Sequence, residues 1–85
     1  MKICFVDTSW KDYLYWQSVD KKMHQRNNVL IMDILRTPFQ GIGKPEPLKY
    51  KYKGLWTRRI NDEHRLIYRI MENELQILKC RFHYD

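Results

Sequence analysis

The chain is poor in the features that stabilise small folds without a hydrophobic core. Its 85 residues contain two cysteines, Cys4 and Cys80, with three glycines and three prolines. Two cysteines outside a CxxC-type cluster give no structural zinc site. Both are expected as buried thiols rather than as a disulfide. Apolar runs such as Val29-Leu30-Ile31-Met32 stop after a few residues, so no membrane span is expected. The start, Met1-Lys2-Ile3-Cys4-Phe5-Val6-Asp7, lacks the apolar stretch of a signal peptide, and a cytoplasmic location is expected. The length leaves room for one domain, residues 1–85, and not for separate nucleotide-binding and substrate domains. Disorder is excluded by a hydrophobic content of 44% and an aromatic content of 14%, since disordered chains have few bulky apolar residues.

Acidic residues are also scarce. Sixteen Lys and Arg face ten Asp and Glu, a formal net charge of +6. The excess is local. Residues 36–69 hold nine bases and three acids, and the flanking segments nearly balance. All prolines and glycines fall between residues 38 and 54, inside the same basic stretch. A basic domain of this size has nucleic acid or an acidic protein as its default partner.

The regular elements can be read from spacing. Lys2 to Val6 reads as a short strand. Ser9-Trp10-Lys11-Asp12 has the pattern of a capping box, and Trp10, Tyr13, Leu14 and Gln17 then form a helical face, with Trp16 off it. Asp20 is the expected cap of a second helix carrying a stripe of Met23, Leu30, Ile31, Ile34 and Leu35. Thr37-Pro38 ends that helix, because a residue before proline is pushed out of the helical region. After Gly54 the period becomes two.

Face parity then sets the hairpins, because directly paired residues share a face. A three-residue turn at Asn61-Asp62-Glu63 pairs Trp56 with Tyr68, Ile60 with His64 and Arg59 with Arg65. A second such turn at Glu72-Asn73-Glu74 pairs Leu66 with Cys80, Tyr68 with Leu78 and Arg65 with Arg81. The predicted class is therefore α+β, two helices on one face of an antiparallel meander. Arg59, Arg65 and Arg81 would line the other face. Like charges placed opposite each other are unfavourable, so this row suggests a use beyond stability. Arg58 falls on the apolar face, which sheet patterning alone does not explain.

Four residue types could carry chemistry. Glu46 lies between Pro45 and Pro47, where two rings stiffen the backbone around one carboxylate. It is either a positioned general base or an ordinary loop acid. His83 lies near the arginines, and histidine is suited to proton transfer near neutral pH. His24 and His64 read as peripheral and packing residues. Tyr84 could stack on a base or pack at a strand end. The arginines could bind phosphate bidentately and stabilise developing charge, or form a solvated basic face. No metal-ligand cluster is present. RNA cleavage can proceed without one, because the 2′-hydroxyl supplies an internal nucleophile.

Several stretches resemble one known family. They are Ser9-Trp10-x-Asp12-Tyr13-Leu14-Tyr15-Trp16-Gln17, Arg36-Thr37-Pro38-Phe39, Gly41-x-Gly43-Lys44-Pro45-Glu46-Pro47-Leu48-Lys49, Trp56-x-Arg58-Arg59-Ile60, Glu63-His64-Arg65-Leu66 and Arg81-x-His83-Tyr84. The chain is similar to the Txe/YoeB-type toxins of the RelE/ParE superfamily. The resemblance implies a RelE-like fold, two N-terminal helices on a twisted, mainly antiparallel sheet in the order β-α-α-β-β-β. It implies a ribosome-dependent messenger RNA interferase, a metal-independent endoribonuclease with no cofactor. Glu46 would be the general base, Arg65 the phosphate stabiliser, His83 the general acid and Tyr84 a substrate-orienting residue. Lys44, Lys49, Arg59 and Arg81 would contact the substrate. The implied partners are messenger RNA in the A site of the 70S ribosome and a YefM-like antitoxin with an acidic C-terminal segment. A homodimer is also implied, and no membrane. The alternatives are a ParE-like, gyrase-inhibiting toxin and a non-catalytic basic nucleic-acid-binding domain. Asp85 departs from the family pattern, in which the chain commonly stops at His-Tyr.

Overall fold

Helix and strand positions follow from local caps and from which residues can be buried together. In a computed structural model, which describes residues 1–83, the order is β1 (Lys2–Phe5), α1 (Asp7–Val19), α2 (Lys21–Arg36), β2 (Glu46–Pro47), a 3-10 turn (Tyr50–Tyr52), β3 (Trp56–Arg59), β4 (Arg65–Met71) and β5 (Glu74–Lys79). Asp20 caps α2 as expected, accepting from the amides of Lys22 and Met23 at 3.1 and 3.2 Å, which satisfies donors that the helix itself leaves free. The helix ends at Thr37, whose backbone is extended before Pro38. The expected stripe faces the sheet. Leu30 and Ile34 are fully buried and Ile31 nearly so, with Met23 and Leu35 packed at its edges.

The first helix departs from the expected pattern. It starts at Asp7, and Ser9 is its third residue rather than its cap. Ser9 Oγ accepts from the Val6 amide at 3.0 Å and donates to the Ile77 carbonyl at 2.5 Å. Asp12 is thereby free to accept from the Cys80 amide at 3.1 Å. The buried face is set by Ser9 and Trp16, while Trp10, Leu14 and Gln17 are exposed. Trp16 wins the core because its indole Nε1 also reaches the Cys80 carbonyl at 2.7 Å, and a buried indole requires such a partner.

The five strands, counted among the described residues, lie in the order β1-β5-β4-β3-β2. Only β1 and β5 pair in parallel. The β3–β4 register is the expected one, with Trp56 opposite Tyr68 and Arg59 opposite Arg65. The β4–β5 register differs. Met71 pairs with Glu74, so the turn has two residues, Glu72 and Asn73, both at positive φ. That is the geometry of a type I′ hairpin. Tyr68 therefore faces Ile77, not Leu78. A bulge next to Ile67 and Tyr68 then absorbs one residue, and Ile67 pairs with Lys79. Leu75, Ile77 and Cys80 are buried, and Leu78 is only partly so. The bulge restores the burial of Cys80 that a two-residue turn alone would lose. Cys4 and Cys80 are both free thiols, but Cys4 is exposed on β1. Burial, followed by the Asp12 charge, pushes the Cys80 thiol up to about 12.

Arg58 is on the apolar face, as parity requires, and is fully buried. Nη1 reaches Asp33 Oδ2 at 2.5 Å and the Ile42 carbonyl at 3.1 Å. Nη2 reaches the carbonyls of Thr37 and Gln40 at 2.7 and 2.9 Å. Nε reaches Tyr68 Oη at 3.2 Å, and that hydroxyl donates to the Pro38 carbonyl at 2.6 Å. Every guanidinium N–H direction is thus used, which is how a charge is tolerated in a core. Asp33 accepts in addition from the Ile42 amide at 3.0 Å and from Arg36 at 2.8 Å. Gly41, at φ +124°, lies so close that a Cβ there would collide with the Asp33 carboxylate. One arginine of the sheet therefore folds the loop that leads to Glu46.

The Arg58 hydrogen bond, then the Ile42 amide, hold the Asp33 carboxyl below the ordinary carboxylate range. A depressed folded-state value stabilises the protein above the unfolded value, and this is lost as pH falls through the folded one. Asp33→Asn should lower the urea midpoint at pH 7 and flatten the decline of stability between about pH 5 and pH 2. Urea melts at a series of pH values check this. A variant as stable as the parent, with the same acid slope, would contradict it.

Candidate active site

The basic segment and the sheet meet in one cleft. Its backbone supports come from both sides. Gly43, at φ +77°, offers its carbonyl to the Arg59 amide at 2.7 Å, and a Cβ on Gly43 would press on Leu30 and the Arg59 carbonyl. Lys44 adopts φ +50°, an uncommon conformation for a non-glycine residue. After it the Pro45-Glu46-Pro47 unit straightens, and β2 pairs Glu46 with Thr57 and Pro47 with Trp56. Buried Leu48 anchors the far side, its amide donating to Leu55 at 2.9 Å.

Pairing fixes what shares the face. Glu46 lies opposite Thr57, Arg59 is two residues along the same strand, and Arg65 lies opposite Arg59. Side chains at these positions project from the sheet surface away from the helices. The Arg65 guanidinium is held by the turn, with Nη1 donating to the carbonyls of Asn61, Asp62 and His64 at 2.6, 3.2 and 3.1 Å.

The C-terminal segment brings His83. Asp12 and Trp16 hold both polar groups of the Cys80 peptide unit. Burial raises the Asp12 carboxyl, against the opposing pull of the Cys80 amide and the nearby Arg81 and Lys79. Phe82 sits at φ +64°. Its amide donates to His64 Nδ1 at 2.7 Å and its carbonyl accepts from the Arg65 amide at 3.0 Å. Lys79 Nζ donates to the His83 carbonyl at 2.6 Å. His64 is buried edge-to-face against Trp16 with ring centroids 4.8 Å apart, so it packs and positions, as expected.

The resulting cleft, about 190 Å³, is lined by Lys44, Glu46, Thr57, Arg59, Arg65 and His83. A carboxylate, an imidazole and three cations around one space can take a proton, give a proton and neutralise an anion between them. Lys49 faces a neighbouring groove that shares Glu46. Arg81 is elsewhere. Its guanidinium stacks 3.5 Å from the Tyr15 ring centroid and 4.6 Å from that of Phe82. β5 ends at Lys79, so the expected opposition of Arg65 and Arg81 gives way to cation–π stacking on α1. The reading of Tyr84 lies outside the described residues. Among those residues, no group of three or more His, Cys, Asp or Glu side chains could hold a metal ion. Among the described residues, no helix is long and apolar enough to cross a membrane.

The chain as a whole has counterparts among known sequences. Residues 5–84 match the family described as the YoeB-like toxin of bacterial type II toxin–antitoxin systems. The chain belongs to the YoeB toxin family. Toxin YoeB of Synechocystis sp. is 58% identical over 85 residues, covering 100% of this chain and 99% of the relative. A solved YoeB/ParE toxin from Agrobacterium tumefaciens is 48% identical with a TM-score of 0.97, covering 99% of this chain and 100% of the other. YoeB from Staphylococcus aureus is solved as a dimer, 44% identical with a TM-score of 0.92. It is also solved as a heterotetrameric YoeB–YefM complex, 44% identical with a TM-score of 0.91. Each of the two covers 99% of this chain and 98% of its own.

Thr57 is the lining residue that the sequence reading overlooked. Parity could have found it, since it shares a face with Arg59. The missing signal was the two-residue strand β2, too short to show a period. Among the described residues, Thr57 Oγ1 is buried with no hydrogen-bond partner, which is costly for a hydroxyl. Thr57→Val keeps the shape and removes the unpaired group. It should raise stability by about 1 kcal/mol, read from urea unfolding. A loss of stability would show that the hydroxyl already has a partner.

Proposed function

We propose that this YoeB-family toxin is an endoribonuclease that cuts messenger RNA held in the A site of the ribosome. The observation that carries this reading is the meeting of Glu46, Arg59, Arg65 and His83 around one cleft, from segments far apart in the chain. Glu46 takes the proton of an RNA 2′-hydroxyl. The 2′-oxygen attacks the adjacent phosphorus, the bond from phosphorus to the 5′-oxygen breaks, and His83 protonates that oxygen. The products are a 2′,3′-cyclic phosphate and a 5′-hydroxyl end. Arg65, already fixed by three turn carbonyls, stabilises charge on the phosphoryl oxygens with little reorganisation. Arg59, Lys44 and Lys49 attract and hold the backbone. Tyr84, next to His83, orients the substrate. Arg81 contributes by fixing the C-terminal segment on α1.

The same positive cleft supports a second, inhibitory use. A YefM-like antitoxin with an acidic C-terminal segment covers it and excludes RNA, in keeping with the YoeB–YefM complex of the S. aureus relative. Homodimerisation is proposed on the same footing. A gyrase-inhibiting activity would give no use to a carboxylate and an imidazole lining one cleft.

Primer extension on messenger RNA in a translating extract tests the reaction, and absence of breaks at A-site codons would overturn it. Glu46→Gln should lower single-turnover cleavage by about 10²-fold or more, and Arg65→Ala by a similar factor, both with the fold intact by circular dichroism. Wild-type rates would remove the assigned roles. Cleavage should also survive EDTA when ribosomes are held together by crosslinking. A metal requirement of the toxin itself would contradict internal 2′-hydroxyl attack.

A further inference from the structure

Next to the cleft lies a groove of about 550 Å³ lined by residues 46–52, Glu46 to Tyr52. Glu46 borders both spaces, whereas Arg65 and His83 border only the cleft. Two features mark the groove as more than a loop surface. Tyr50 is 92% exposed, the highest value among the exposed large hydrophobic residues described. It also sits at φ +58°, which is an outlier for a bulky side chain. The conformation is held by the turn, with Tyr52 N donating to Lys49 O at 3.1 Å and Lys53 N to Tyr50 O at 3.0 Å. The sequence thus holds an aromatic ring out in water, in a backbone state that suits glycine better. Neither burial nor backbone preference accounts for it. Lys49 and Lys51 flank Tyr50 in sequence and line the same groove, with Lys51 Nζ 5.2 Å from the Tyr52 ring centroid.

We propose that this groove binds an unpaired RNA base, stacked on Tyr50, with Lys49 and Lys51 on the adjoining phosphates. Exposed aromatic rings among lysines are the chemistry of single-stranded nucleic-acid binding, in which every base offers a π-face. The groove's volume is in the range of small-ligand sites. It lies on the Glu46 side of the cleft and not the His83 side. The stacked base therefore belongs 5′ of the scissile phosphate, at or beside the nucleotide whose 2′-hydroxyl attacks. This placement rests on the proposed reaction, whereas stacking itself does not. An acidic peptide would be served by the lysines alone and would not need the ring.

The test uses the full-length protein with His83→Gln, which keeps RNA uncut without touching the groove. The probes are a short single-stranded RNA carrying 2-aminopurine and, separately, 70S ribosomes with and without messenger RNA. The parent should quench 2-aminopurine. Tyr50→Leu and Tyr50→Gly should each weaken binding about 10-fold and abolish the quench, and Tyr50→Phe should retain both. The salt slope should stay unchanged in the Tyr50 variants and fall by about one in Lys49→Ala. Loss with the oligonucleotide or only with programmed ribosomes assigns the base to messenger RNA. Loss with empty ribosomes as well assigns it to ribosomal RNA. Tyr50→Gly should keep or raise the melting temperature, since glycine relieves the backbone. A drop would make Tyr50 structural and overturn the proposal. Unchanged RNA and ribosome binding would overturn it too, as would an effect confined to an acidic antitoxin peptide. Cleavage by the wild type with Tyr50-independent binding would sink the groove alone. Tyr50-dependent quenching without cleavage would sink the nuclease alone.

Discussion

The buried ion pair of Arg58 and Asp33 is the contact on which the site depends. A charge with no exposure in a core is tolerable only when its hydrogen bonds are satisfied. Arg58 meets that condition by collecting carbonyls from Thr37, Gln40 and Ile42. Those carbonyls would otherwise be loop groups facing water. The pair thereby ties α2, the loop after it and β3 into one unit. Gly41 is small because the carboxylate occupies the space a side chain would need. The loop then delivers Lys44 and Glu46 to the sheet surface at a fixed height. The stability of the core and the position of the carboxylate are the same problem solved once.

A parallel arrangement holds the other half of the cleft. His83 has no strand of its own, because β5 stops at Lys79. It is positioned by a chain of polar contacts through Asp12, Trp16, His64 and Arg65 to Cys80 and Phe82. Two of these, Trp16 and His64, are core residues packed edge to face. Glu46, from the middle of the chain, and His83, from near its end, are thus each fastened to the core through buried polar side chains. Between them, Arg59 and Arg65 are forced side by side by strand register. Their mutual repulsion would be relieved by an anion placed between them, so this surface is complementary to an anionic partner.

Much of this was legible. Asp20 capping α2, the break at Thr37-Pro38 and the β3–β4 register all follow from short-range rules, because caps, prolines and face parity act within a few residues. The functional reading rested on the rigid Pro45-Glu46-Pro47 unit and on a row of arginines across neighbouring strands; Glu46, Arg59 and Arg65 line one cleft, and Arg81 does not. What failed did so for long-range reasons. Ser9 and Asp12 look like a capping box, but β5 and Cys80 compete for them and win. Leu78 looks like a core residue until a bulge takes it out of register. By parity Arg81 extends the arginine row, yet Tyr15 offers it a ring elsewhere.

By itself, then, the sequence determined the class of the fold, the location of the positive charge and the residue types available for acid–base chemistry. These depend on composition and on periodicity along the chain. Only the tertiary structure decided that Arg58 would organise the loop, that Thr57 would line the cleft and that Arg81 would leave it. Each of those outcomes turns on competition between partners distant in sequence for one hydrogen bond or one packing site. No local pattern encodes the winner, because burial is set by the whole core at once.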